Sequence, residues 1–357
     1  MQTLIVASTS PYAGKTGIVL ALLAMASERR RAVGYFKPYG TMPTVVDGVQ
    51  TDADAAYIAA YASVSAPLQA ICPVVESRAL VEDVLAGDRA DRSDDVSSAF
   101  AEVAKGADLV IVEGPGSLSQ GRTLGIHLCA LAERLDASVL LVDRPVRIDL
   151  PDSILWARDC LGERLAGVVF NAVHESLHDF IVQRVTGHLE REGVRVWGTL
   201  PRDPMLSSVS VAEVVDALGA TVLSADDKLD RRVESFMVGA MGQDKALRFF
   251  RRREHKAVIT GGDRSDVQLA ALETDTRCII LTGNLPPSSL VLSRAEELGV
   301  PMVLVPMDTL TAVEKMEALL GRVRLHDPGK AARIREMLAE NVDVDALLAS
   351  IAEDKRA

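Results

Sequence analysis

The apolar positions of this chain come in short unbroken runs, each closed by a polar or glycine-rich turn and followed by a longer segment of helical spacing. The first run is Thr3-Leu4-Ile5-Val6-Ala7. It leads through Ser8-Thr9-Ser10-Pro11-Tyr12-Ala13-Gly14-Lys15-Thr16 into Ile18-Val19-Leu20-Ala21-Leu22-Leu23. A short apolar run bounded by turn residues reads as a buried strand, and the longer apolar segment behind it as a helix. Further strands are expected at 31–36, 107–112, 138–143, 165–171 and 195–201, with an amphipathic helix closing at 101–105. Residues 41–50 read as a turn that leads into a helix start at Thr51-Asp52. Strands alternating with helices over some 200 residues predict an α/β fold with a doubly wound parallel sheet.

The second half repeats the rhythm on a smaller scale. A connecting helix and strand are expected at 205–223, followed by strands at 257–260, 278–281 and 302–305. Ser265 with Gln268 and Thr311 with Glu314 have the spacing of capping boxes. The expected division is a nucleotide-binding domain over 1–205, a connector over 206–221, a smaller α/β domain over 222–335, and a tail over 336–357. The charged end Glu353-Asp354-Lys355-Arg356 makes that tail read as frayed.

Charge narrows the partners. The chain has 39 basic and 50 acidic side chains, a net charge of −11. Such a surface repels phosphodiester backbones and anionic lipid, so neither nucleic acid nor membrane is expected. Arg29-Arg30-Arg31 and Arg251-Arg252-Arg253 lie where helices end and complement the helix dipole. Cys72, Cys129, Cys160 and Cys278 show no CxxC spacing and read as buried free thiols of a reducing compartment. Together with the lack of a signal-type or membrane-length apolar run, this leads to the expectation of a soluble cytoplasmic protein. The six histidines, His127, His174, His178, His188, His255 and His326, form no metal-binding spacing.

The candidate chemistry lies at strand ends. Gly14-Lys15-Thr16, between a buried strand and an apolar helix, is the second half of a P-loop: backbone N–H groups and a lysine for phosphates, a hydroxyl for Mg²⁺. Thr9 stands where the general pattern has its first glycine. Nucleotide contacts are expected from Thr9, Ala13, Gly14, Lys15, Thr16 and Gly17. Lys37 ends a strand before Pro38, on the edge where open parallel sheets bind ligands. Asp52 reads equally as a helix N-cap or a metal ligand. Glu113 tips an apolar strand, as a second acidic group facing a P-loop would; Mg²⁺ takes only one or two carboxylates beside phosphates and waters. Asn171 ends another strand, as a turn residue or a reader of adenine.

Ser8-Thr9-Ser10-Pro11-Tyr12-Ala13-Gly14-Lys15-Thr16, Gly34-Tyr35-Phe36-Lys37-Pro38, Thr51-Asp52, Val112-Glu113-Gly114-Pro115-Gly116 and Asn171 together resemble the dethiobiotin synthetase type of P-loop ATPase, which also has threonine in place of the first glycine. The resemblance implies ATP and Mg²⁺ as cofactors. It assigns Lys15 to the β/γ-phosphates, Thr16, Asp52 and Glu113 to Mg²⁺, Lys37 and Thr41 to a nascent carbamate or acyl phosphate, and Asn171 to adenine. Lys15 and Lys37 would be the catalytic pair. The chain departs from that family at Ser8, through Ser10, Pro11, Tyr12 and Ala13, and at Pro115 and Ser117, which removes the dethiobiotin substrate from the expectation.

Residues 222–335 resemble the DRTGG domain, whose signature is a turn like Gly261-Gly262-Asp263-Arg264-Ser265-Asp266. That turn could bind a small anion or nucleotide through its N–H groups and Arg264, or Asp263 and Arg264 could simply brace it. The two domains together look like the N-terminal regulatory half of long phosphotransacetylases without the acyltransferase domain. Two functions follow: a Mg-ATP-binding regulator with slow or no hydrolysis, or an ATP-dependent ligase that activates a carboxylate or carbamate. A nucleotide-free interaction module is the third. The expected partners are a nucleotide, a small-molecule effector or metabolic enzyme, and a second copy in a homodimer.

Overall fold

The computed structural model describes residues 1–29, 31–87, 91–241, 243–321 and 327–353. Arg30 of the first arginine run, His326, and residues 354–356 of the expected tail lie outside them. The chain divides into two units, one formed by residues 1–202 together with the C-terminal helices, the other by residues 203–323.

The first unit is built on six parallel strands, β1 (Gln2–Ser8), β2 (Val33–Phe36), β3 (Leu109–Glu113), β4 (Ser138–Asp143), β5 (Leu165–Val173) and β6 (Val196–Pro201). Their order is β6-β5-β4-β1-β3-β2. Leu4, Ile5, Val6 and Ala7 are buried on both faces, the pattern of a central parallel strand. The chain moves to one side of β1 to make β2 and β3 and to the other side for β4 to β6, so the order reverses beside β1. This is where open parallel sheets form their ligand crevice. The helix behind it, α1 (Lys15–Glu28), is buried nearly all round, from Gly17 through Leu23 and at Met25 and Ala26.

Two findings correct the sequence expectations in this unit. The stretch read as a turn at 41–50 contains a hairpin, with Pro43–Val46 antiparallel to Val49–Asp52. Its turn is Asp47-Gly48, both at positive φ (49° and 80°), a pairing that matches the twist of an antiparallel ribbon. The hairpin delivers Asp52 to the first residue of α2 (Ala53–Tyr61). The second correction concerns cysteine: Cys129 and Cys160 are joined in a disulfide, with Cα atoms 6.3 Å apart. The helices Leu128–Arg134 and Asp152–Leu161 bring them together across 31 residues of sequence, while Cys72 and Cys278 remain buried thiols.

The main sheet of the second unit has five strands, β7 (Thr221–Ser224), β8 (Ser235–Val238), β9 (Lys256–Gly261), β10 (Thr276–Thr282) and β11 (Met302–Leu304), ordered β7-β11-β10-β9-β8. Only β7 runs antiparallel, against β11. Alternate residues serve two cores: Val258, Ile279 and Leu281 pack on one face, and Ala257, Ile259 and Ile280 on the other. The helix after β9, α3 (Ser265–Leu272), lacks the expected capping box. Its Gln268 amide instead donates to the carbonyls of Gly261 (2.8 Å) and Gly262 (3.0 Å). Helix Thr309–Gly321 is entered through Asp308, which accepts from the backbone and hydroxyl of Thr311, rather than through a Thr311/Glu314 box. A complete box forms at Ser210 and Glu213.

The tail expected at 336–357 is largely helical, in α4 (Pro328–Asn341) and α5 (Val344–Glu353). Pro328 at the first helical position and Asp327, which accepts from Lys330 N–H at 2.9 Å, fix the start of α4. Ala331, Ile334, Met337, Leu338, Leu347 and Ile351 are buried within the first unit, where α4 packs on α1. Arg29 pairs with Asp345 at 2.5 Å, and Arg335 with Glu28. A helical apolar stripe that finds a partner outweighs the charges between its positions.

Candidate functional site

Gly14 starts α1 in the left-handed region (φ 91°), where the chain turns its N–H groups toward the carboxyl edge of the sheet. A Cβ there would lie 2.2 Å from Asn171 Nδ2. That nitrogen, buried near the end of β5, which runs on past the expected stop at 171 to Val173, donates to the Ala13 carbonyl at 2.8 Å. Asn171 therefore holds the loop from its neighbouring strand. Thr9 donates to Asp143 at the tip of β4, and Ser8 Oγ donates to the carbonyls of Ser10 (2.9 Å) and Gly116 (3.1 Å). Gly17 N–H donates back to Gly14. Burial raises the Asp143 carboxyl above its ordinary value, and the Thr9 hydroxyl opposes that shift. The loop is thus fastened to the tips of β4 and β5 and to the glycine turn after β3.

Strand ends bring the charged groups together. Thr16 Oγ1 donates to Glu113 Oε1 at 2.7 Å, and buried Tyr35 donates to Glu113 Oε2 at 2.9 Å. Burial, and then the Glu113 charge, push the Tyr35 phenol well up, so it is a permanent donor. Lys37 Nζ donates to Asp52 at 2.8 Å and stands 3.6 Å from both Asp54 and Glu113. Burial alone would lower the Lys37 ammonium; the charges of Glu113, Asp54 and Asp52 reverse this and raise it, so it stays charged. Burial lowers Lys15, with Glu113 and Asp54 opposing and Lys37 reinforcing. Three carboxylates against two ammonium groups leave this cluster one negative charge in excess.

Asp52 acts as the α2 N-cap, accepting from Asp54 N–H (3.0 Å) and Ala55 N–H (3.1 Å), and also takes Met42 N–H at 2.8 Å. With Lys37 added, both of its oxygens are engaged. Thr16 and Glu113 therefore fit the small inner set that Mg²⁺ takes beside phosphates, whereas Asp52 reaches that set only through Lys37. Among the described residues no cluster of three histidine, cysteine or acidic side chains forms a metal site. Thr41, expected beside Lys37, is exposed. His174 caps the helix Glu175–Phe180 through Nδ1.

Tyr35, Asp54, Asp143 and Gln120, whose side chain accepts from Gly116 N–H, are absent from the residues expected at this site. Asp143 carried the same strand-end signal as Glu113. Tyr35 and Asp54 flank predicted site residues, but their orientation had no sequence mark.

In the second unit, a Cβ on Gly262 would lie 1.6 Å from the Leu285 carbonyl oxygen, so only glycine lets these backbones meet. Arg264 binds Asp266 (3.2 Å) and the Met241 carbonyl (3.0 Å), and Ser265 Oγ is 3.5 Å from Ser288 Oγ. Among the described residues Asp263 forms no ion pair with Arg264, although its charge acts on that guanidinium behind the Asp266 bond and charge.

Comparison with known proteins follows the two units. An AAA domain profile matches residues 2–210, and a DRTGG domain profile matches residues 213–319. Phosphate acetyltransferases of Pseudomonas aeruginosa and Pseudomonas putida are 25% and 26% identical over 97% and 96% of this chain. They are covered over only 52% and 51% of their own length, so the chain spans about half the length of the curated relatives it matches. Among solved structures, the MinD cell division protein of Aquifex aeolicus matches 58% of this chain and 84% of its own, at 13% identity and a TM-score of 0.38. The CBS and DRTGG regulatory region of Clostridium perfringens pyrophosphatase, complexed with its activator diadenosine tetraphosphate, matches 38% of this chain and 68% of its own. Its identity is 17% and its TM-score 0.28. No helix among the described residues is long and apolar enough to cross a membrane.

Proposed function

The chain belongs to the AAA domain family and carries a DRTGG domain behind that domain, and from this premise we propose that it is a regulatory protein that binds Mg-ATP and hydrolyses it slowly or not at all. The observation that carries the reading is the state of Lys37. A lysine that stabilises charge on a transferred phosphoryl group must direct its own charge at the acceptor. Here the ammonium is buried among Asp52, Asp54 and Glu113, which already balance it.

Nucleotide binding rests on the other residues. Lys15 and the N–H groups from Ala13 to Thr16 take the β/γ-phosphates at the start of α1. Thr16 and Glu113 hold Mg²⁺, which when bound offsets phosphate charge. Asp52 acts indirectly, by holding Lys37 in the acid cluster. Asn171 keeps the loop in its binding shape and flanks the adenine.

The second unit serves as the docking or sensing part, for a small-molecule effector or a metabolic enzyme. Its 261–266 turn is braced, since Arg264 is committed to Asp266 and the Met241 carbonyl. A cytoplasmic homodimer fits this role.

The ligase reading is favoured by one observation: Lys15, Lys37, Thr16 and Glu113 all stand in a single cluster, which a plain binding protein has little need to keep. Phosphate release by the wild-type chain and by Lys37→Ala separates the two. The regulator gives negligible release from both proteins. Turnover that disappears in Lys37→Ala would establish the ligase.

A further inference from the structure

The carboxyl edge of the first sheet carries a feature that neither the P-loop nor its acid cluster uses. Arg144 directly follows β4 and Arg202 directly follows β6. The register pairs Asp143 with Phe170 and Pro201 with Val173, which places both arginines on this edge with β5 between them. Two strand spacings and an offset of three residues along β5 separate their backbones by roughly 14 Å, a span that two extended arginine side chains can close. Arg144 Nη1 donates to the Tyr12 carbonyl at 3.3 Å, which ties it to the P-loop. Arg202 N–H donates to the Val173 carbonyl at 2.9 Å, which fixes its origin.

Among the described residues neither guanidinium forms an ion pair, in a chain with 50 acidic side chains. Burial, and then the charge of Arg202, hold Arg144 below its ordinary value. Like charges kept together without a carboxylate between them cost free energy, and a ligand anion relieves that cost. The planar fork of arginine matches phosphoryl oxygens in particular.

We propose that Arg144 and Arg202 form a second anion subsite beside the P-loop, and that it takes a phosphoryl group. The group is either a second phosphate on the bound nucleotide, away from its triphosphate, or part of a separate phosphorylated ligand. The inference builds on the nucleotide reading of the first unit, but its own test does not depend on ATP.

The test is calorimetric titration of the full chain with pyrophosphate in the wild type, Lys15→Ala, Arg202→Gln and Arg144→Gln. Lys15→Ala disables the P-loop and should retain one pyrophosphate site. Arg202→Gln in the same background should weaken that site by about tenfold or more, the worth of one charge-assisted bond. Arg202 is exposed, so its variant decides the matter even if Arg144→Gln fails to fold. Simultaneous binding of pyrophosphate and ATP would assign the subsite to a separate ligand. Adenosine 3′,5′-bisphosphate binding more tightly than AMP, with the gain lost in Arg202→Gln, would assign it to the nucleotide. Loss of all pyrophosphate binding in Lys15→Ala, with unchanged binding in Arg202→Gln, would overturn the proposal. Failure of the ATP reading would look different, as wild-type chain that binds pyrophosphate but no ATP.

Discussion

Lys37 shows how one residue sets the character of the site. Its ammonium holds three carboxylates together in a region almost closed to water, and removing it leaves their charges facing one another without that cation between them. Lys37→Met should therefore cost about 3–5 kcal/mol of stability in urea denaturation, the range for breaking a buried ion pair. A loss below about 1 kcal/mol would mean that the cluster is solvated. Lys256 gives a pH dependence of known sign. It is buried, donates to Thr274 (3.0 Å) and the Asp275 carbonyl (2.9 Å), and burial lowers its pKa from 10.5 to about 8, against the pull of Asp275 and Glu254. Between pH 8 and 10.5 the unfolded chain holds this proton more tightly than the folded one, so Lys256 makes stability rise with pH across that window. Thermal melts should show the rise shrink in Lys256→Met; an identical slope in both proteins would refute the assignment. Gly14, Lys15, Thr16, Lys37 and Glu113 were readable in sequence because each closes or opens an apolar run. The Asn171 bond to Ala13 was not, since which strand tip meets the loop depends on strand order rather than on local sequence.

At the scale of elements, two features escaped the sequence for different reasons. The Asp47-Gly48 hairpin had a recognisable turn pair, but its strands are only four residues each and show no regular alternation of apolar and polar positions to announce them. The Cys129–Cys160 bond had no signal at all, because its 31-residue separation says nothing about which helices face each other. On the chain-entropy account, closing a loop of that length contributes about 3–4 kcal/mol. The oxidised chain should show two free thiols after unfolding, and Cys160→Ser should melt at a clearly lower temperature. Four free thiols in the purified chain, with a melting temperature unchanged by reductant, would contradict the pairing.

At the scale of the whole molecule, the first unit draws on sequence from both sides of the second. The last two helices belong to the first unit, α4 packing on its apolar α1 and α5 against β1 and β5, although 121 intervening residues make up the second unit. A chain cut at residue 323 should expose α1 and the buried positions of β1, and should aggregate or bind a hydrophobic dye. A monodisperse product with native melting behaviour would show that α4 and α5 are dispensable. The alternation of strands and helices made both units visible in sequence. The docking of 328–353 was not, because its apolar stripe is interleaved with charges and lies far from its partner in the chain.

The most direct measurement of the central claim is calorimetric titration of the intact chain with ATP, with and without Mg²⁺, while phosphate release is followed in the same samples. The account predicts Mg-dependent binding, weakened at least tenfold in Lys15→Ala and Glu113→Gln by loss of charge-assisted contacts, with negligible phosphate release. Absence of ATP binding by the wild-type chain, or sustained turnover at enzyme-like rates, would contradict it.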